Sequence, residues 1–79
     1  MEADEVRLRL ATRIRELCAR RHLTVQTLAQ RASTSRSYLY AVLNGEKSPT
    51  LDWLTRIATA LGVDVHELVR PPHNSTVKK

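Results

Sequence analysis

The sequence predicts an all-α fold, a compact five-helix bundle that forms one domain over residues 1–70. Apolar residues recur at intervals of three and four, which is the spacing of amphipathic helices. Ala, Leu and Arg are frequent, whereas there are only two Gly and no Phe, and this composition favours helices over a turn-rich β architecture. Residues 71–79 have no apolar periodicity, and we expect them to form a disordered tail.

Two helices are predicted in the first part of the chain. The first runs from about Asp4 to Arg21, where apolar residues such as Ile14 and Leu17 share one face. Thr24 is a good N-cap for a second helix that ends near Ala32.

The third helix is predicted to have two unlike faces. It follows a polar break at residues 33–35, begins after Ser35 as N-cap and ends at Gly45. At 100° per residue, one face is apolar and would pack on neighbouring helices: Tyr38, Leu39, Val42 and Leu43. The opposite face is polar or small and holds no acid: Arg36, Ser37, Tyr40, Ala41 and Asn44.

Two further helices are predicted after the loop that contains Pro49. Thr50 caps a fourth helix, and Gly62 ends it in the left-handed conformation. We expect Asp64 to cap a short fifth helix and Glu67, three residues later, to complete a capping box.

Positive charge is concentrated in the front half of the chain. From Arg7 to Lys47 there are nine Lys and Arg residues against two acids, and the whole chain has a net charge of +5. Nucleic acid and anionic membranes are the usual partners of such a field. Solvated faces of Arg-rich helices produce the same pattern, so charge alone leaves these alternatives open.

The stretch from Ile14 to Val69 resembles the lambda-repressor-like, Cro-type helix-turn-helix domain, also called the xenobiotic-response-element family. It covers about seven-tenths of the chain. The resemblance is carried by short motifs in a fixed order: Ile14–Leu17, Leu23–Thr24, Leu28–Ala29, Ser35–Leu39, Asn44–Thr50 and Leu54–Val63. It implies a sequence-specific DNA-binding transcriptional regulator, of repressor or controller type, that binds a palindromic operator as a homodimer.

The resemblance also implies roles for individual residues. The third helix would be the recognition helix, and its free face would read bases through Arg36, Ser37, Tyr40 and Ala41. Arg suits this role because it pairs bidentately with guanine. Contacts with the phosphate backbone would come from Thr24, Gln26, Thr34, Ser35, Tyr38, Asn44 and Lys47.

The chain departs from the family pattern at two turns. Ser33 stands where the family usually has Gly between the second and third helices, and His22 replaces a common Gly after the first helix. A positive φ at Ser33 would carry a cost, because a residue with a side chain adopts that conformation less readily than Gly does.

The same reasoning predicts a dimer surface. One helix-turn-helix reads too few base pairs to select a genomic site, so a two-fold dimer on paired half-sites is expected. The fourth and fifth helices are nearly neutral and carry spare apolar residues, and we place the surface there: Trp53, Val63, Val65 and Val69. Val6 and Leu8 on the first helix form the rival surface.

Other functional classes receive little support from the sequence. The single Cys18 excludes an internal disulfide, the three His are scattered, and no Gly-rich phosphate loop or nucleophile–base pair is present. We therefore expect no enzyme activity, metal, cofactor or small-molecule ligand. No apolar run is long enough to span a membrane, so a cytoplasmic protein is expected. The resemblance implies a nucleoid-associated protein of bacterial or phage type. A protein-interaction adaptor with the same fold is the alternative.

Overall fold

The structure, a computed structural model, describes residues 2–71, so all but the first residue of the predicted tail lies outside the described residues. Regular secondary structure in this range is entirely helical, which confirms the all-α prediction. The five helices are α1 (Ala3–Arg20), α2 (Val25–Arg31), α3 (Arg36–Leu43), α4 (Leu51–Leu61) and α5 (His66–Val69).

The three N-caps predicted for α2, α3 and α4 are confirmed. The hydroxyl oxygens of Thr24, Ser35 and Thr50 each accept a hydrogen bond from the backbone N–H three residues further on, at 3.0, 3.0 and 3.1 Å. Each cap satisfies one of the donors that the first turn of a helix leaves unpaired. These short polar side chains therefore fix where the helices of the predicted helix-turn-helix begin.

The first four helices end in the same way. In each, a residue with positive φ follows the last turn: His22 (56°), Ser33 (55°), Gly45 (76°) and Gly62 (73°). The next backbone N–H then donates to a carbonyl five residues earlier, as Thr34 does to Ala29 at 3.0 Å. This is the Schellman arrangement, in which glycine is favoured because it has no Cβ. Ser33 and His22, which stand where the family usually has Gly, adopt this conformation with a side chain present.

Every helix contributes to one hydrophobic core. Its centre contains one side chain from each helix that is 0% exposed: Ile14, Leu28, Leu39, Ile57 and Leu68. Helix α1 packs against α3 and α5, while α2 packs against α3 and α4. Helices α2 and α3 thus pack against each other, with α4 against α2 and α1 against α3. The outer face of α3 is left free.

The structure corrects the expected surface of α4. Trp53, predicted to lie on the dimer surface, is 4% exposed and lies in the core. Leu51, which shares its helix, is 74% exposed. Trp53 lies at one edge of the arc of Leu54, Ile57 and Leu61 on the helical wheel, and it contacts Thr34 and Tyr38 from other elements. Leu51 lies farther from the centre of that arc.

The start of α5 also differs from the prediction. Val65 precedes the helix without a side-chain cap, and the Glu67 N–H donates to the backbone carbonyl of Asp64 at 2.9 Å. The Glu67 carboxylate is used elsewhere, since it accepts hydrogen bonds from Arg13 and Arg70, each at 3.1 Å. The expected capping box is therefore absent from this helix start.

A buried arginine attaches α5 to α1. Arg13 is 1% exposed, and its Nε donates to the Glu67 carbonyl at 2.8 Å. Its terminal nitrogens donate to the carboxylates of Glu16 at 2.7 Å and Glu67 at 3.1 Å. Arg9 adds a bond to the Val69 carbonyl at 3.2 Å. A buried guanidinium needs such partners because its desolvation is otherwise costly.

Candidate nucleic-acid interface

The outer face of α3 is free, as its sequence pattern predicts. Leu39, Val42 and Leu43 are buried against the core. Arg36, Ser37 and Asn44 are exposed, and Tyr40 is 45% exposed. The side chains available to a partner along this helix are therefore polar, aromatic or small, and none is acidic.

The turn between α2 and α3 brings the first turns of these two helices together. The Ser33 N–H donates to the Gln30 carbonyl at 3.2 Å and closes the end of α2. Ser35 then caps α3, so Arg36 is the first residue of that helix. This geometry brings the start of α2 beside the start of α3, and the Arg36 guanidinium donates to the Gln26 side-chain oxygen at 3.2 Å.

The predicted DNA-contacting residues differ in how accessible they are. Eight are exposed: Thr24, Gln26, Ser35, Arg36, Ser37, Tyr40, Asn44 and Lys47. Three are half-buried: Thr34, Tyr38 and Ala41. The Thr34 hydroxyl accepts a hydrogen bond from the Trp53 indole at 2.8 Å, and the Tyr38 ring packs edge-on against the same indole.

The structure divides the cations of the front half into two groups. Four donate hydrogen bonds to acceptors of the protein itself: Arg7, Arg9, Arg13 and Arg21. Four others are exposed and, within residues 2–71, have no protein hydrogen-bond partner: Arg15, Arg20, Arg31 and Lys47. Arg36 has a neutral partner only, in Gln26. Five of the nine cations are thus available to an anionic partner.

The region around these helices offers little to other chemistries. Burial raises the pKa of the Cys18 thiol, against a smaller opposing effect of Arg15, so the thiol stays protonated at neutral pH. Among the described residues, His, Cys, Asp and Glu form no group of three that could hold a metal ion. Nor is any helix in this part of the chain long and apolar enough to cross a membrane.

A family comparison decides what this arrangement of helices is. A model described as a helix-turn-helix domain matches residues 9–70, which include all of α2 to α5 and most of α1. The chain belongs to the helix-turn-helix domain family. The fold and the resemblance predicted from the sequence are both confirmed. Two curated relatives of the chain are each named an HTH-type transcriptional regulator.

Relatives and solved structures agree with this assignment. The chain is 31% identical over 67 residues to the HTH-type transcriptional regulator SutR of Escherichia coli, covering 85% of the chain and 38% of SutR. It is similar to the hypothetical transcription factor NHTF from Neisseria, with a TM-score of 0.83, 26% identity and coverage of 91% and 83% of the two chains.

A third comparison concerns the restriction-modification controller protein C.AhdI from Aeromonas hydrophila. The two share 32% identity at a TM-score of 0.75, over 78% of this chain and 94% of that one. The chain spans less than half the length of the curated relatives that it matches.

The predicted dimer residues do not form an isolated patch on α5. Val63, Val65 and Val69 are half-buried and pack against the edge of the core. Val69 lines an apolar groove together with Val6 of α1, and Leu54 and Pro49 complete its wall. Val6 and Val69, which were predicted to belong to rival surfaces, therefore belong to the same one.

Two arginines make tertiary contacts that were not predicted from the sequence. Arg13 was counted among the cations of the front half, although it is buried. Its position on the helical wheel next to Leu17 is the signal that pointed to burial. Arg56 donates to the Ser33 carbonyl at 3.2 Å. That contact joins distant parts of the chain, so no local pattern indicated it.

Proposed function

We propose that this helix-turn-helix domain is a sequence-specific transcriptional regulator of repressor or controller type that binds a palindromic operator as a homodimer. The observation that carries the proposal is the free, acid-free face of α3, with Arg36 exposed at its first position. A major groove accommodates one helix, and the N-terminal residues of a recognition helix approach the base edges.

Base reading is assigned to Arg36, Ser37, Tyr40 and Ala41. Arg36 uses one terminal nitrogen on Gln26 and keeps its other N–H groups for an acceptor such as guanine. Ser37 donates or accepts, and the half-exposed Tyr40 ring contacts a thymine methyl or a base edge. Ala41 is half-buried and leaves room for the groove floor to approach.

Backbone contacts are assigned to the residues that surround this face: Thr24, Gln26, Thr34, Ser35, Tyr38, Asn44 and Lys47. Lys47 lies in the loop after α3, is exposed and has no protein hydrogen-bond partner within the described range. It suits a phosphate for that reason. The exposed hydroxyls and amides at the starts of α2 and α3 supply neutral donors, which fix register without reading sequence.

The dimer surface is assigned to Val63, Val65 and Val69, and Val6 lies beside Val69 in the apolar groove. These residues are not acidic or basic, and they lie outside the proposed DNA face. The similarity to C.AhdI supports a controller role, since that protein is named as one.

Selection of bound duplexes from a random pool tests the function directly. We expect one enriched palindrome with half-site centres about 34 Å apart. A salt titration follows, because each neutralised phosphate adds about −0.9 to the log–log slope. We expect a slope of at least about −4 for the dimer by that rule. A slope near zero together with no enrichment would leave the protein-interaction adaptor as the better description.

Sedimentation of two charge variants tests the dimer surface. Val65→Glu places a carboxylate on the α5 side of the surface and should give a folded monomer that binds operator weakly. Leu8→Glu is the matched control, because Leu8 is 68% exposed on α1 and outside the groove that holds Val6. If Val65→Glu stays dimeric while Leu8→Glu dissociates, the interface belongs to α1.

A further inference from the structure

Two side chains of α4 donate hydrogen bonds to the turn between α2 and α3. The indole Nε1 of Trp53 donates to the Thr34 hydroxyl at 2.8 Å. The Arg56 guanidinium donates to the Ser33 carbonyl at 3.2 Å. Trp53 and Arg56 are three residues apart, so they lie on neighbouring positions of one face of α4 and contact two consecutive residues of the turn.

These hydrogen bonds stabilise a turn whose backbone conformation is unfavourable for its residue. Ser33 adopts a φ of 55°, a conformation that residues with a side chain rarely occupy. The same turn sets the direction in which α3 leaves α2. The two contacts from α4 therefore bear on a backbone segment whose local preference opposes its conformation.

Trp53 also contacts α3 beyond the turn. Its ring lies edge-on to the Tyr38 ring, with 5.4 Å between centroids and an interplanar angle of 71°. Thr34 precedes the helix and Tyr38 lies within its first turn, so the indole contacts both sides of Arg36 and Ser37. One buried side chain thus fixes the segment that carries two proposed base-reading residues.

Filling the core does not require this chemistry. A phenyl ring would occupy much of the same volume, but it has no N–H group to donate. A buried indole N–H needs a partner, and the Thr34 hydroxyl supplies it. The indole of Trp53 therefore requires a hydroxyl or another hydrogen-bond acceptor at position 34 of the turn.

We infer that Trp53 and Arg56 act as positioning residues for DNA readout, forming a clasp from α4 that sets the angle at which Arg36 and Ser37 meet the bases. This inference rests on the proposed function. It assigns α4 a role in specificity that is separate from its role in the core, since both side chains contact the turn that precedes α3.

The ratio of random-duplex Kd to operator Kd is the readout. A fall in the folded fraction weakens binding to both duplexes equally, so a purely structural role leaves this ratio unchanged. Trp53→Phe and Thr34→Val each remove one half of the hydrogen bond. We expect each to lower the ratio about tenfold, within the range for one impaired bidentate base contact.

Three comparisons make the result specific. The double variant should lower the ratio no further than either single variant, because both remove the same interaction. Thr34→Ser keeps the hydroxyl and should preserve the ratio. Thr59→Val makes the same chemical change at an exposed position of α4 and should also preserve it. A ratio within about twofold of wild type in Trp53→Phe, well below the cost of a lost base contact, overturns the inference.

Amide hydrogen exchange of the free protein separates this inference from the proposed function. The Thr34 N–H donates to the Ala29 carbonyl at 3.0 Å and closes the turn. We expect it to exchange faster in Trp53→Phe than in Thr59→Val, with exchange in the centre of α1 unchanged relative to that control. Equal exchange at Thr34 in the two variants overturns the clasp, whether or not the protein selects a DNA sequence.

Discussion

Two arginines on opposite sides of the core show how differently the same side chain is used. Where α1 meets α5, Arg13 is 1% exposed and all of its bonds go to Glu16 and Glu67. On the face formed by α2 and α3, Arg36 is exposed and has one neutral partner, Gln26. The first arginine donates to the protein from all three of its side-chain nitrogens, whereas the second has nitrogens left for another molecule. Positive charge is therefore divided between structure and binding.

The largest effect is expected from substitution of the buried Arg13, which should lower the free energy of unfolding by weakening the contact between α1 and α5. Arg13→Met should lower the free energy of unfolding by about 3 kcal/mol, the lower end of the range for a broken buried ion pair. The Glu67 carbonyl loses its donor, and the two carboxylates lose their partner. Urea unfolding measures the change.

Arg15→Met is the matched control for that experiment, because Arg15 lies on the same helix and is exposed. We expect it to change the unfolding free energy by no more than about 0.5 kcal/mol. Similar losses in the two variants would show that the buried network adds no more than a surface charge does.

The opposite outcome is expected on the α2–α3 face, where binding should change and stability should not. Arg36→Ala should cost about 1–3 kcal/mol on the operator and relax preference at one base position. Lys47→Ala should weaken all sequences alike and reduce the salt slope by about 1 per site. Binding titrations on operator and random duplexes at several salt concentrations measure both. Equal loss of specificity in the two variants would contradict the division of roles.

Features that depend on local sequence patterns are the ones that the sequence predicts. Thr24, Ser35 and Thr50 are visible as caps because a cap needs only a short polar side chain beside an apolar repeat. The free face of α3 is visible for a similar reason, since helical spacing separates Arg36 from Val42. Local patterns of this kind predict all five helices and the family.

Contacts between distant parts of the chain are not predictable in this way. Trp53 was expected on the surface. Its burial depends on contacts with Thr34 and Tyr38, which come from other elements, so the pattern of its own helix does not indicate it. Glu67 was expected to cap α5, but Arg13 competes for its carboxylate from α1. In both cases a tertiary partner overrides the local preference, and no spacing along the chain indicates that partner.

A smaller effect is expected at the turn that joins α2 and α3. Ser33→Gly should raise the free energy of unfolding by up to about 1 kcal/mol, because glycine adopts a positive φ without a steric cost. The contacts of Ser33 with Gln30 and Arg56 use backbone atoms, so the substitution keeps them. Thermal unfolding measures the gain.

The reverse substitution at an equivalent helix end provides the comparison. Gly45 has a φ of 76°, and a Cβ added there would meet no other atom within 4 Å, so Gly45→Ala reports the cost of the conformation alone. We expect a loss of about 1 kcal/mol. A loss at Gly45 without a gain at Ser33 would mean that the Ser33 side chain makes a compensating contribution.

The smallest expected effect is a change in acid sensitivity at the α1–α5 contact. The pKa of Glu67 lies below its ordinary value of 4.5, chiefly because Arg70 donates a hydrogen bond to the carboxylate, and the charges of Arg70, His66 and Arg13 act in the same direction. A lowered folded pKa means that the ionised group stabilises the fold above pH 4.5. That contribution is lost as the pH falls through the lower, folded value. Glu67→Gln should therefore be less stable than wild type at neutral pH, and the difference in unfolding free energy should shrink in acid.

Urea unfolding at a series of pH values measures this difference, with Glu46→Gln as a control, since Glu46 forms no ion pair within residues 2–71. A difference that stays constant down to strongly acidic pH would show that Glu67 acts through its size and neutral hydrogen bonds, and that Arg13 is held without its charge.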